Sequence, residues 1–199
     1  MPVRFELEPE KTAAAVALLA ESGIRDLTKY KICKLVFLAD KYHLVRYGRP
    51  VTGDRICAME YGPVPSVALD ALNILLGSER GSPEAQEIAR ILSGYVTLDE
   101  RYRNRHFSSI HRIDAERYLS PSDLEAIREV LKEHGAKSFE ELKAMTHELF
   151  AYRKAWGDRD CDNPTMKFED LFVEDPDAIE GAFEEMIENY ELSRGKAAV

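Results

Sequence analysis

The sequence predicts an α+β chain that is mainly α: a compact helical domain around a long central helix, with a small antiparallel sheet or hairpin. Three observations carry that prediction. Apolar residues recur at spacings of three and four along residues 28–47, bounded by a capping residue and a glycine. Cap-plus-proline helix starts recur at Ser82-Pro83-Glu84 and Ser120-Pro121-Ser122-Asp123. Strand-like runs are few and short, confined to residues 56–61 and 95–112. With 199 residues, 45% hydrophobic and 32% charged, the chain suits one soluble domain with a real core.

Each element has a local reason. Glu8-Pro9-Glu10 opens a first helix, because proline in the first turn gives up no needed amide. Alanine-rich residues 12–20 follow, ended by Gly23, and their small side chains invite the next helix close. Thr28 caps the central helix, which runs to Tyr47 and stops at Gly48. Ile32, Leu35, Val36, Ala39, Tyr42 and Val45 form its apolar stripe, with Lys31, Lys34, Lys41 and Arg46 off or beside it. After a turn over residues 49–54, residues 56–61 read as a strand. The strand is expected to end at Gly62-Pro63-Val64-Pro65, where two prolines lack ladder amides and the chain should leave any sheet. Ser66 reads as the cap of a helix through Leu76, and the helix from Ser82 ends near Gly94.

Residues 95–103 and 106–112 read as hairpin strands around Asn104. The helix from Ser120 ends at Gly135, and Ser138-Phe139-Glu140-Glu141 forms a capping box for another. Residues 157–164 are a polar loop, and Asp175-Pro176 opens a last helix through about Leu192. The expected division is a body of residues 1–167 and an acidic helix and tail, 168–199, packed on it or extending from it.

Charge is uneven. The net charge is −9; residues 168–199 contribute −8 of it and residues 1–167 only −1. A near-neutral body with an acidic tail is a poor generic binder of nucleic acid, whose phosphates attract basic charge. No run of ~18 apolar residues is present to cross a membrane. Cys33, Cys57 and Cys161 form an odd set without CxxC spacing, which fits a reducing cytoplasm. Met1 to Glu6 lacks the pattern of a signal peptide, so a cytoplasmic protein is expected.

No sequence pattern for catalysis stands out. There is no GxSxG, HExxH, Walker A or GxGxxG motif, and no cofactor is expected. Asp40 and His43, three apart on one helix, are the best pair for a metal-dependent hydrolase, the second alternative function; the favoured reading is a solvated or capped pair. The one concentrated basic patch is Arg101, Arg103 and Arg105 with Tyr102 and Phe107, continuing to His111 and Arg112. Interleaved arginine and aromatics can track a nucleic-acid backbone, which is the alternative function; the favoured reading is a charged hairpin that resists edge pairing. In the tail, Ile179, Phe183, Met186 and Tyr190 lie at i, i+4, i+7 and i+11, a helical stripe that either folds back on the body or meets a partner. The favoured reading folds it back, yet deletion of the tail is expected to cost partner affinity more than stability.

Residues 31–54, KICKLVFLADKYHLVRYGRPVTGD, and 58–70, AMEYGPVPSVALD, carry a Lys-x-x-Lys-Leu-x-aromatic-x-Ala helix, a Tyr-Gly-Arg-Pro turn and a Tyr-Gly-Pro-Val turn. In these features the sequence resembles the Panacea domain of the SocA-like antitoxin family. The resemblance spans about residues 23–156; Phe37 stands where the family motif has tyrosine, and the acidic tail lies outside it. It implies an intracellular antitoxin of a bacterial or phage toxin–antitoxin pair that binds a cognate toxin directly. In the SocA type it also implies an adaptor that presents the toxin to the ClpXP protease. Glycine, proline and tyrosine without a paired acid and base describe a frame for recognition, so no enzyme is expected. The candidate partner-binding residues are Tyr47, Arg49, Asp54, Tyr61, Pro63, Val64, Arg101, Arg103, Arg105, His111, Phe183 and Tyr190, with Asp54 pairing Arg46 or Arg49.

Overall fold

Thr28 begins α2 (Lys29–Tyr47) by accepting the Lys31 amide on its side chain, and Gly48, at φ +64°, stops it in the left-handed conformation. The computed structural model describes residues 2–24, 26–99, 106–173, 175, 176 and 178–196. α2 is their axis. Ile32, Leu35, Val36, Phe37 and Leu44 are wholly buried along it. Lys31 and Lys34, expected beside the stripe, are 1% exposed, because α2 is enclosed on nearly every side.

α1 (Pro9–Glu21) buries its alanines chiefly against α4 (Pro83–Leu92), and less against α2. α3 (Ser66–Leu75) lies between α4 and α2, and α5 (Pro121–His134) packs along α2. Capping boxes at Ser120 with Asp123 and at Ser138 with Glu141 start α5 and α6 (Phe139–His147) as the sequence predicts. α7 (Phe150–Gly157) follows α6 as a separate helix that the sequence reading did not divide off.

Strand β1 (Ile56–Met59) pairs antiparallel with β2 (Gly62–Pro65), so the proline segment stays in the sheet, contrary to expectation. The register explains why. Pro63 and Pro65 stand opposite Ala58 and Ile56, whose ladder groups point to the other edge of β1. There the Ala58 amide donates to the Pro164 carbonyl and the Ile56 carbonyl accepts the Met166 amide, both at 2.8 Å. The prolines therefore occupy positions that owe no bond to β1. β3 (Val96–Asp99) and β4 (His106–Ser109) form the second antiparallel pair, and the Phe107 amide ties it to the Leu27 carbonyl.

Ser66 does not cap α3. Asp54 does so from twelve residues upstream, accepting the Val67 amide on both oxygens and the Ala68 amide at 2.8 Å. The last helix, α8 (Ala182–Lys196), starts seven residues later than Asp175 because Gly181 is left-handed. Asp175 instead pairs with Lys41, and the Ile179 amide donates to the Val45 carbonyl. α8 then lies on α2, burying Ala182, Met186 and Tyr190.

Candidate partner-binding site

Two turns carry the family-like glycines and prolines, and they differ in what they expose. At the first, His43 is buried and burial holds its pKa below the usual histidine value, so the ring is neutral. Its Nδ1 lies 2.7 Å from the Arg49 carbonyl, which only accepts, so Nδ1 carries the proton and Nε2 accepts from Ser122. The Arg49 guanidinium reaches Asp123 at 2.9 Å and Ser120 at 3.1 Å. Burial works to raise Asp123, but the Ser120 amide and Arg49 outweigh it and hold the carboxyl below the ordinary range. Asp40 turns to the Thr52 amide and hydroxyl, at 2.7 and 2.6 Å, and burial pushes its pKa up to about 7.

This first turn is an internal polar joint. Asp54 is fully buried on the end of α3, and it pairs with neither Arg46, which lies over the Tyr42 ring, nor Arg49. Tyr47 is half-buried and donates its hydroxyl to Glu125 at 3.0 Å. α8 closes the turn from outside: a Cβ on Gly48 would stand 2.6 Å from the Met186 nitrogen. Asp40 and His43 face different partners and do not converge on one ligand position. Among the described residues, no group of three histidine, cysteine or acidic side chains is arranged to hold a metal.

At the second turn the chain points outward. Gly62, at φ +95°, lies over the buried Lys34 amine, and a Cβ there would come within 2.6 Å of Nζ and 3.0 Å of Thr146 and His147. Lys34 donates to the Pro63 carbonyl at 2.8 Å, and burial lowers its pKa to about 7. Tyr152 secures β1 by donating to the Met59 carbonyl, and its ring stacks with those of His147 and Trp156. Pro63 and Val64 are buried in this frame. Tyr61 is 45% exposed and meets Tyr30, 42% exposed, at 6.2 Å between ring centroids, and Phe139 at 6.4 Å. Lys143 sits over the Tyr61 ring and Lys29 over the Tyr30 ring, each at 4.9 Å.

The twelve candidate residues thus separate. Tyr61 is on the open aromatic face; Asp54, Pro63 and Val64 are interior. His111 is exposed beyond β4, Phe183 is exposed beside Phe172, and Tyr190 is buried under α8. Arg101, Arg103 and Arg105 lie outside the described residues. Sequence reasoning missed Tyr30, Phe139 and Lys143. For Tyr30 and Phe139 a signal was present but weak: aromatic residues in the first turns of two helices.

No helix among the described residues is long and apolar enough to cross a membrane. No curated protein and no solved structure matches this chain. Residues 32–151, more than half of the sequence, match the family described as antitoxin SocA-like, Panacea domain. They take in both turns and the whole of α2 beyond its first turn. The chain therefore belongs to the SocA-like antitoxin, Panacea domain family.

Proposed function

We propose that this protein is the antitoxin of a toxin–antitoxin pair and neutralises its toxin by direct binding, without catalysing a reaction. The observation that carries the reading is the cluster of exposed Tyr30 and Tyr61 with half-buried Phe139, on a frame fixed by Gly62, Pro63 and Pro65. Rigid aromatic side chains lose little conformational freedom on binding and dominate the energetics of many protein interfaces. Lys29 and Lys143 cover part of the rings and supply polar edges to the same face.

Co-expression tests this. The product of the neighbouring reading frame should arrest growth alone and be harmless beside the wild-type chain. Tyr61→Ala should lose that protection while its melting temperature stays within a few degrees, since Tyr61 is 45% exposed and lies outside the core. Full protection by a Tyr61→Ala, Phe139→Ala double variant would remove the aromatic face from the mechanism. Delivery to ClpXP is the finer form of the same proposal. It requires the toxin's half-life to shorten in the presence of this chain and to recover in cells lacking the protease; an unchanged half-life leaves occlusion as the mechanism.

A further inference from the structure

Where α6 meets α7, the surface opens into a cavity of about 240 Å³. Its apolar lining comes from four places in the chain: Leu38 on α2, Met145 on α6, Leu149 and Phe150 at the helix junction, and Leu171 ahead of α8. Cofactor and drug-sized pockets run from about 300 to 1,000 Å³, whereas roughly 150 Å³ of apolar space holds a benzene ring. The volume therefore fits a large side chain better than a cofactor.

The charged lining is mostly acidic. Glu133, Glu148, Asp170 and Asp175 border the cavity against Lys41 and His134. Lys41 is paired with Asp175, and Lys154 neutralises Asp170 at 2.8 Å. Glu133 and Glu148 are exposed on the outer edge. The whole chain, at −9, adds a field of the same sign.

Resting on the reading that this chain grips a polypeptide, we propose that the cavity receives a leucine or aromatic side chain carried on a basic segment of that partner. α6 links the two contacts: Phe139 and Lys143 serve the aromatic face, and Met145 serves the cavity. The helix has nine residues, so about 14 Å separates its ends. An apolar anchor in a pocket with complementary charge around it is the usual arrangement of an energetic centre.

The test uses the full chain with methyl-labelled methionine and the peptide acetyl-Lys-Lys-Leu-Leu-Lys-Lys-amide as probe. Saturable movement of the Met145 methyl resonance is expected, weakening as salt rises. The same peptide with serine for leucine, or glutamate for lysine, should leave Met145 in place. Leu149→Trp, which fills the cavity, should abolish the shift. Should that variant fail to fold, Glu133→Lys with Glu148→Lys gives a surface-only test, expected to weaken binding about fivefold. A Met145 resonance that ignores the lysine–leucine peptide, or moves equally with the controls, overturns the proposal. If co-expression protects cells yet the peptide does not bind, the cavity assignment falls alone. If the peptide binds and no protection occurs, the antitoxin reading falls alone.

Discussion

Lys34 is a lysine held in the interior with a carbonyl for a partner instead of a carboxylate. Burial, aided by the charge on Lys143, brings its pKa from 10.5 to about 7. Between those values the unfolded chain holds a proton that the folded chain has released, so stability contributed by this group rises with pH across that window. Asp40 has the opposite sign. Its folded pKa is raised from 3.8 to about 7, so the folded chain holds the extra proton and stability falls as pH rises from about 4 to 7. Urea denaturation at pH 4.5, 7 and 9.5 checks both slopes. Lys34→Met is expected to flatten the upper one; Asp40→Asn should reduce the lower one, leaving the part due to Asp54, which burial raises from 3.8 to about 6.

The elements depend on partners remote in sequence. α3 has no side-chain cap of its own, and the Asp54 carboxylate meets its first amides from the preceding turn. A helix N-terminus favours a negative charge there and leaves orphan amides when the acceptor is lost. Asp54→Ala is therefore expected to cost about 2 kcal/mol, and Ser66→Ala much less, measured by chemical denaturation. β2 shows the same dependence. A proline pair reads locally as the end of a sheet, yet β1 uses its alternate groups on the segment around Pro164 and leaves the prolines unburdened. No local pattern reveals that register, because the third segment joins from a hundred residues downstream.

For the molecule as a whole, the tail is part of the support of α2. On the inner face of α8, Met186 is fully buried beside Gly48 and Tyr190, one turn on, is nearly so. Burial of two side chains of this size is worth about 3–5 kcal/mol together. Ending the chain at Gly181 is accordingly expected to lower the melting temperature by about 9–15 °C on thermal unfolding, on the scale of ~3 °C per kcal/mol for a chain this long. Loss of partner affinity on tail removal, expected from the sequence, is therefore to be read against a stability loss of this size.

Caps and periodicity made most helices readable from sequence. Thr28, Ser82, Ser120 and Ser138 each accept amides within their own first turn, and Gly48 stops α2 by its own conformation. The motif in residues 31–70 likewise lies in contiguous chain, so family membership was legible there. Tertiary structure decided the site. Tyr30, Tyr61 and Phe139 come from three separate elements, and the choice of which turn faces solvent depended on α8 covering one and leaving the other bare. Local propensity acts within a few residues, whereas exposure is the outcome of every element that packs nearby.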